Sequence, residues 1–363
     1  MKKIETDTLV IGGGIFGAHA ARVLASYGSV ILVEKNSEII SEASRYNQTR
    51  VHTGAHYPRA PHTASTANRN LNRFYKDFAE CIYKNFDHYY AIAKNNSLTD
   101  KNSFERFLAW LEIPYEIAVP SELEGSERIS ASYSLQEFSF DPYLIRVKYE
   151  KQLKVAGVKV ILKAEVIEGS LNEQTYKTVV MVEGELMEIY SKRVVNATYG
   201  NLNIVNNFYG ADKLNLRFEK ARLLFLSIPS MENKAITIMD GPFLSLTPYG
   251  MSGLHVLTSV IYTHQKIKNE LPEISSIESE TYNKVNDKLM LNQLRTYIPN
   301  LNKFYLQASE TVVKATLETD DEKDERPTVV HKFVNLPGYY AIFSGKVSSI
   351  YDVERYFKSE NQE

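Results

Sequence analysis

Apolar and polar residues follow one another in blocks that predict a strand, a glycine turn, a helix and a second strand within the first 35 residues. Residues 9–11 are a short, wholly apolar run, which is typical of a parallel strand buried on both faces. Residues 18–27 are rich in Ala and Leu and predict a helix, which Gly28 ends. Residues 30–33 predict the second strand. This order is typical of a βαβ unit in a parallel sheet.

The turn between the first strand and the helix fits a dinucleotide-binding fingerprint. Residues 12–17 read Gly-Gly-Gly-Ile-Phe-Gly, with Gly12, Gly14 and Gly17 at the three positions of G-x-G-x-x-G. The first glycine allows a tight turn, the second lets a pyrophosphate approach the backbone, and the third lets helix and strand pack closely. Glu34 closes the second strand, where a carboxylate accepts hydrogen bonds from an adenosine ribose. The unit predicts an ADP-containing cofactor and by itself leaves NAD and FAD open.

Beyond this unit the pattern changes from helices to short strands and back. Apolar residues at helical spacing predict helices over residues 66–85, 100–111, 142–156 and 277–298. Strand-like runs alternate with glycine and proline turns and predict a mostly antiparallel sheet, at residues 223–228, 235–239 and 255–262. The C-terminal region predicts a strand over residues 340–343, a glycine turn over 344–346, and a helix from about Ser348.

These patterns predict an α/β protein with two domains. The first is a discontinuous, Rossmann-like nucleotide-binding domain that comprises residues 1–85, 142–205 and 325–363. The second is an α+β substrate domain, built on the mostly antiparallel sheet and inserted twice, as residues 86–141 and 206–324. Ligands are expected between the two domains.

Composition excludes several classes of protein. The 363 residues are enough for two domains, and 44% apolar with 24% charged residues is ordinary for a soluble globular protein. The net charge of −2 and the lack of a basic run predict no nucleic-acid partner. Cys81 is the only cysteine, which excludes an internal disulfide and a cysteine metal cluster and favours the cytoplasm. No signal peptide, integral membrane segment or metal site is expected.

Four segments together resemble flavoproteins of the D-amino-acid oxidase superfamily, such as glycine and sarcosine oxidases, 2-hydroxyglutarate oxidoreductase and FAD-linked glycerol-3-phosphate dehydrogenase. They are the glycine unit with Glu34, residues 43–54 (ASRYNQTRVHTG), residues 194–200 (VVNATYG) and residues 344–349 (SGKVSS). Tyr199 departs from the alanine-threonine-glycine strand end of the family. The resemblance implies FAD, because a protein that holds this long cofactor needs contacts at the pyrophosphate and the flavin ring as well as at the ribose.

The resemblance also implies which residues contact FAD. In relatives, the segment after the second strand lies along FAD and reaches the reactive face of the flavin, and the backbone of the C-terminal glycine-lysine turn meets the flavin ring. The expected cofactor contacts are Gly12, Gly14, Ile15, Phe16, Gly17, Glu34, Lys35, Ser44, Arg45, Asn47, Gln48, Thr49, Arg50, Val51, Val166, Ala197, Thr198, Gly345, Lys346, Val347 and Ser348.

Hydride transfer to flavin also needs a group that takes a proton from the O–H or N–H of the donor. His52 is the expected base or orienting group, because its segment reaches the flavin in relatives and imidazole titrates near neutral pH. Arg50 either faces the flavin or bridges the domains, and Tyr57 is expected beside them. Arg326 occupies the position of a substrate-anchoring arginine in relatives, and its fork suits carboxylate or phosphate, although an exposed surface role stays open. The expected substrate-pocket residues are His56, Arg59, Tyr249 and His255.

The sequence therefore predicts an FAD-dependent oxidase or dehydrogenase. Its donor is a small polar, anionic molecule that is oxidised at a CH–OH or CH–NH bond, and oxygen or another acceptor then takes the electrons. No second G-x-G-x-x-G lies between a strand and a helix, so reduction by NADPH is not expected. Two alternatives stay open: a non-redox, mutase-like flavoenzyme that acts on a sugar nucleotide, and a protein that binds FAD structurally.

Overall fold

The computed structural model describes residues 2–267, 280–317 and 328–362. Within these ranges seven α-helices pack on two large sheets and one small sheet. The helices are α1 (Ile15–Leu24), α2 (Pro61–Asp77), α3 (Lys101–Trp110), α4 (Pro142–Val155), α5 (Leu202–Phe208), α6 (Glu280–Tyr297) and α7 (Ile350–Glu360). None of these described helices combines the length and the apolar surface needed to cross a lipid bilayer.

The described strands are numbered in chain order. They are β1 (Lys2–Ile11), β2 (Val30–Val33), β3 (Arg50–Val51), β4 (Ile82–Tyr83), β5 (Asp87–Ala93), β6 (Tyr115–Ile117), β7 (Ile129–Leu135), β8 (Phe138–Phe140), β9 (Lys159–Ile161), β10 (Ala164–Asn172), β11 (Thr175–Val182), β12 (Glu185–Asn196), β13 (Leu216–Ser227), β14 (Lys234–Met239), β15 (Leu244–Pro248), β16 (His255–Ser259), β17 (His264–Ile267), β18 (Tyr305–Leu317), β19 (Val329–Lys332) and β20 (Tyr339–Phe343).

The first large sheet is built around the N-terminal βαβ unit. Its strand order is β10-β11-β12-β1-β2-β9, and β20 pairs with both β12 and β19. The pairings of β1 with β12, β1 with β2, β2 with β9 and β12 with β20 are parallel. Helices α1, α4 and α7 share one apolar core on a face of this sheet. The strand–glycine turn–helix–strand prediction is therefore correct, although α1 begins at Ile15 rather than residue 18 because Gly14 is its N-cap.

The second large sheet is mixed. Its order is β17-β13-β16-β15-β14-β5-β7-β6, and β18 also pairs with β13. The pairing of β5 with β14 is parallel, whereas the other pairings are antiparallel. The expected mostly antiparallel sheet is not confirmed in this detail. The physical reason is that four of the eight strands of the first sheet lie between β5 and β14 along the chain, so the hairpin connection that imposes antiparallel pairing is missing.

Local sequence signals fix the ends of two helices. The Asp141 side chain accepts a hydrogen bond from the Leu144 amide at 3.0 Å, and Pro142 opens α4 in the first turn. Asp100 caps α3 in the same way, through the Ser103 amide at 2.9 Å. These carboxylates satisfy amide groups that would otherwise have no partner at a helix start.

The strands of the two large sheets come from separate parts of the chain. The first sheet takes its described strands from residues 1–85, 142–205 and 325–363, and the second takes them from residues 86–141 and 206–324. A third, three-stranded sheet, β3-β8-β4, joins both parts, since β8 lies in the first insertion. The domain boundaries themselves stay a prediction.

Candidate active site

A cavity of about 760 Å³ is lined by both ends of the chain. Its wall includes the glycine turn after β1, the segment that follows β2, the end of β12, strand β18 and the C-terminal glycine turn. The turn at Gly12 and the turn at Gly345 therefore face one cavity, although more than 300 residues of sequence separate them.

Close backbone packing shapes the glycine turn. A Cβ atom added to Gly17 would lie 1.9 Å from the Gly12 carbonyl oxygen, and one added to Gly12 would lie 2.7 Å from the Ala197 oxygen. Gly12 also has a φ of +101°, a conformation that favours glycine. Gly14 lines the cavity, and the nearest atom to a Cβ added there would be Ser44 Oγ, at 3.1 Å. The turn thus presents bare backbone to the cavity, as close approach of a pyrophosphate requires.

Glu34 is held at the wall of the same cavity. One carboxylate oxygen accepts the Gly13 amide at 2.6 Å, and the other accepts the Asn36 amide and side-chain nitrogen, each at 2.9 Å. Glu34 is 7% exposed, and Lys35 lines the cavity beside it. The turn and the carboxylate are therefore fixed relative to each other at the end of β2. These residues fit the ADP half of FAD.

The C-terminal turn faces the cavity through residues 344–347. The Gly345 amide donates a hydrogen bond to Thr328 Oγ1 at 2.9 Å, which ties this turn to the start of β19. The Lys346 ammonium donates a hydrogen bond to the Tyr57 hydroxyl and lies 4.1 Å from the centre of the Tyr57 ring. The turn is thus anchored to the segment that follows β3.

Arg50 is the centre of a buried polar group that we call the Arg50 cluster: Arg50, His52, His56, Tyr57, Tyr90 and Glu137. Arg50 Nη2 donates to the Tyr90 hydroxyl and lies 3.3 Å from Glu137 Oε2. Arg50 Nη1 lies 3.3 Å from His56 Nδ1, which accepts its hydrogen bond. Strand β3 places Arg50 by pairing with β8, so the small third sheet sets the position of the cluster.

Within the cluster, His52 borders the cavity. Its ring stacks on the His56 ring at 5.2 Å between centroids and meets the Tyr57 ring edge-on at 5.1 Å. His52 Nδ1 lies 3.6 Å from Glu137 Oε2. An imidazole beside a cavity, with a carboxylate at its inner nitrogen, can accept a proton from a molecule in that cavity.

Burial decides the charge of the neighbouring histidines. Burial, reinforced by the positive charge of Arg50, holds the pKa values of His56 and His88 well below the usual value for histidine. Burial also raises the pKa of Tyr90 well above its usual value. His56 and His88 are therefore neutral near pH 7, and Tyr90 keeps its proton. Arg50 and Glu137 supply opposite charges to the middle of the cluster.

Most of the residues expected to contact the cofactor line the cavity. Those that do are Gly12, Gly14, Ile15, Phe16, Glu34, Lys35, Ser44, Asn47, Gln48, Thr49, Arg50, Val166, Ala197, Thr198, Gly345, Lys346 and Val347. Four others lie beside it but not on its wall, Gly17, Arg45, Val51 and Ser348. Gly17 supports the turn, and Arg45 forms an exposed ion pair with Glu38 at 2.7 Å.

The expected substrate-side residues have different positions. His56 and Tyr57 belong to the Arg50 cluster behind His52. Three others are engaged away from the cavity wall: Arg59 pairs with Asp240 at 2.6 Å, the Tyr249 hydroxyl donates to the Arg45 carbonyl at 2.8 Å, and His255 Nε2 donates to the Lys234 carbonyl at 2.9 Å. Arg326 lies outside the described residues.

Several residues of the site were not predicted from the sequence, among them Lys220 and Glu137. Lys220 is 6% exposed and lines the cavity from β13. Its signal was available, because Leu216 and Phe218 precede it at alternate positions and place it on the core-facing side of a strand. Glu137, 1% exposed, had no local signal, since the loop between β7 and β8 reaches Arg50 only through tertiary folding.

Comparison with known proteins identifies the family of this chain. A family model described as FAD dependent oxidoreductase (DAO) matches residues 7–328. The chain belongs to this family. It is an enzyme, an FAD-dependent oxidoreductase, and its cofactor is FAD. The resemblance of the chain to the D-amino-acid oxidase superfamily is confirmed.

Individual relatives match almost the whole length of this chain. The FAD-dependent monooxygenase FPY4 of Fusarium mangiferae is 27% identical over 364 residues, which cover 96% of this chain and 91% of that protein. The glycine oxidase of Geobacillus kaustophilus has the same fold, with a TM-score of 0.73, 12% identity and coverage of 97% and 92% of the two chains. The glycerol-3-phosphate dehydrogenase of Bacillus halodurans, solved with FAD, gives a TM-score of 0.69 at 18% identity. The match covers 98% of this chain and 64% of that longer protein.

Proposed function

We propose that this enzyme oxidises a CH–OH or CH–NH bond of a small polar, anionic donor, and that oxygen or another acceptor takes the electrons. The observation that carries the proposal is that His52, Arg50 and Lys346 line the same cavity as the glycine turn. A proton acceptor and two cations thus adjoin the space in which the cofactor is held. FAD, when bound, supplies the acceptor for the hydride.

The chain holds the cofactor through the residues that line the cavity. Gly12 and Gly14 leave room for the pyrophosphate, and Glu34, on the wall of the same cavity, would accept hydrogen bonds from the ribose. Gly345 and Lys346 line the cavity, and their backbone would hold the flavin ring. This assignment is supported by the observation that the turn at Gly12 and the turn at Gly345 line one cavity. In this proposal residues 1–85, 142–205 and 325–363 form the FAD-binding domain, and residues 86–141 and 206–324 select the donor.

The charge of the cavity wall favours an anionic donor. Among the described lining residues, five lysines and arginines oppose three glutamates: Lys35, Arg50, Lys220, Lys314 and Lys346 against Glu34, Glu42 and Glu165. Cations in a cavity with low-dielectric walls attract and orient anions. Lys220 is the most buried of the lysines in this set, and it extends from the sheet of the proposed substrate domain. A carboxylate or phosphate of the donor is the group that these side chains would bind.

Proton transfer is assigned to His52. When the donor loses a hydride, the proton of its O–H or N–H group must also leave, and His52 is the described histidine on the cavity wall. The half-buried His56 and the buried His88 are held neutral. Arg50 stays positively charged and would stabilise negative charge that develops on the donor oxygen or on the cofactor.

An anaerobic screen tests the proposal directly. The purified, yellow enzyme is mixed with amino acids, hydroxy acids and sugar phosphates, and loss of the visible flavin absorption is recorded. We expect bleaching by members of one class that carry a carboxylate or phosphate. A flavin that no donor bleaches would contradict the proposal. It would favour a structural cofactor or, if activity required a pre-reduced flavin and consumed no acceptor, a mutase-like reaction on a sugar nucleotide.

Monooxygenation is the second candidate, because the relative from Fusarium mangiferae carries that name and matches 96% of this chain. The two functions differ in the fate of oxygen. An oxidase releases both oxygen atoms as hydrogen peroxide, whereas a monooxygenase places one of them in the product. Turnover under ¹⁸O₂, with mass spectrometry of the product, separates them. Label in the product would replace the oxidase proposal with monooxygenation.

A further inference from the structure

The carboxylate of Glu137 is fully buried beneath the cavity wall. Its Oε1 accepts the Thr53 amide at 3.1 Å and the Thr53 hydroxyl at 2.7 Å. Its Oε2 lies 3.3 Å from Arg50 Nη2 and 3.6 Å from His52 Nδ1. A buried carboxylate is stable only when it is paired and hydrogen-bonded, and both conditions hold here. Glu137 does not itself line the cavity, so its effect on a donor must pass through another side chain.

The two stacked histidines, His52 and His56, have charged neighbours of opposite sign. The charged and titratable side chains that face it are Arg50, His56, Tyr57 and Glu137, with Lys346 behind Tyr57. His56 Nδ1 points at the Arg50 guanidinium and accepts its hydrogen bond, so this imidazole is neutral. The stacked His56 and His52 rings therefore differ in their partner: one faces a cation and the other faces a carboxylate.

We propose that Glu137 is a positioning residue that holds His52 with a proton on Nδ1, so that Nε2 faces the cavity and receives the proton of the donor. The inference rests on the proposed function. In that reaction FAD, when bound, would accept the hydride, with both electrons, as the donor C–H bond breaks. The donor O–H or N–H bond breaks in turn, and its proton bonds to Nε2. The product keeps a C=O or C=N double bond, and the positive charge formed on His52 is stabilised by the Glu137 carboxylate.

The order of residues supports this arrangement. Thr53 follows His52 in the chain, and its amide and hydroxyl both bind Glu137 Oε1, so the carboxylate is fixed relative to the backbone that carries His52. Arg50 on β3 fixes the other oxygen. The carboxylate cannot turn away from Nδ1 without losing these bonds. This geometry orients an imidazole better than a mobile surface carboxylate would.

Nuclear magnetic resonance of ¹⁵N-histidine in the FAD-loaded enzyme tests the inference without any donor. The His52 signals are identified by their loss in His52→Asn. In the wild type we expect the Nδ1–H tautomer. In Glu137→Gln we expect the midpoint of the His52 titration to fall by about one pH unit or more, because a carboxylate close to the imidazolium is lost. Glu122→Gln is the matched control, since Glu122 is an equally buried glutamate that pairs with Lys234 at 2.9 Å, away from the cavity.

Glu137→Asp covers the case in which Glu137→Gln fails to fold. It keeps the charge opposite Arg50 but withdraws the carboxylate from Nδ1 by one methylene group, so the Nδ1–H signature should weaken while the titration midpoint moves less. An unchanged tautomer and an unchanged midpoint in both folded variants would overturn the inference. If the signals shift as expected and no donor class reduces the flavin, the proposed function fails instead. With a donor from the screen, the pH dependence of flavin reduction should move in parallel with the His52 midpoint.

Discussion

The Glu354 carboxylate lies 3.2 Å from Nε2 of His19, and this contact joins the last helix of the chain to the first. Glu354 also accepts hydrogen bonds from Arg73 at 2.8 Å and from Lys358 at 2.6 Å, so α1, α2 and α7 meet at one buried carboxylate. On its other side, His19 Nδ1 lies 3.0 Å from the Tyr149 hydroxyl of α4. The helix that follows the glycine turn is thus held by the C-terminal helix, next to the cavity that both turns line.

Replacing Glu354 with Gln should destabilise the protein by about 2 kcal/mol, because a buried carboxylate loses its charge-assisted bonds and leaves buried donors poorly satisfied. The free energy of unfolding is measured by urea titration of the variant and the wild type. Glu183→Gln is the control, since the Glu183–Lys163 pair at 2.7 Å is exposed, and its loss should leave the urea midpoint unchanged. Equal midpoints for all three proteins would show that the Glu354 network contributes nothing.

Acid should destabilise the protein below about pH 6.5, the usual pKa of histidine. Burial lowers the pKa of four histidines in the folded state, His19, His56, His88 and His255. The unfolded chain therefore binds more protons than the folded chain as the pH falls below that value, and the free energy of unfolding decreases with a slope of at most about 1.4 kcal/mol per pH unit for each histidine. The pKa of Glu354 is also lowered, chiefly by its hydrogen bond with His19, so a further loss follows below about pH 4.3.

Urea titrations at pH 7.5, 6.5 and 5.5 check this slope. His255→Gln keeps a donor for the Lys234 carbonyl but removes one titrating group, so its slope should be smaller than that of the wild type by up to one proton. The exposed His331→Gln should retain the full slope. If the free energy of unfolding instead rose as the pH fell over this range, burial would not be holding these histidines neutral.

Much of the site could be predicted because its elements are local in sequence. The glycine unit, Glu34 and the end of β12 are recognisable within short segments, and residues 43–54 directly follow that unit. What the sequence lacked was the side-chain environment. His255 and Tyr249 were expected in the substrate pocket, yet each donates a hydrogen bond to a backbone carbonyl away from the cavity wall. Hydrogen-bond partners of this kind are chosen by tertiary packing and leave no trace in residue spacing.

The parallel pairing of β5 with β14 was not predicted, because it too depends on tertiary packing. Strand β14 itself was predicted to within one residue, as residues 235–239. The relative direction of the two strands depends on how the two insertions enter the second sheet, which is a property of the whole chain rather than of either strand. Glu137 was missed likewise, because its partners Arg50 and Thr53 lie more than 80 residues earlier.

Two glycines of the fingerprint should respond differently to alanine. In Gly17→Ala the new Cβ would overlap the Gly12 carbonyl, so the apoprotein should lose about 3 kcal/mol of stability as the turn opens. In Gly14→Ala the nearest atom is Ser44 Oγ, at 3.1 Å, which accepts the Ile15 amide and needs to move by only a few tenths of an ångström, so the apoprotein should lose much less stability than Gly17→Ala. Because that Cβ projects into the cavity, FAD affinity should fall about tenfold or more, equivalent to about 1.4 kcal/mol.

Retained flavin per chain after dialysis and the urea midpoint of each apoprotein separate the two effects. A Gly14→Ala protein that keeps full flavin would show that the cofactor backbone does not approach this turn. A Gly17→Ala apoprotein as stable as the wild type would show that the contact between the helix and the turn is looser than the structure indicates.

Arg50 and Glu137 should be strongly coupled in stability, because each compensates the buried charge of the other. Arg50→Met leaves the carboxylate without its cation, and Glu137→Met leaves the guanidinium without its anion, so each single change should cost about 3–5 kcal/mol. The double variant removes both charges and should lose much less than the sum of the two. A double-mutant cycle by urea titration of the apoprotein measures this difference independently of catalysis. Additive losses would mean that Arg50 is stabilised by Tyr90 and His56 alone, and Glu137 by Thr53 alone, so that the ion pair at the base of His52 contributes no free energy.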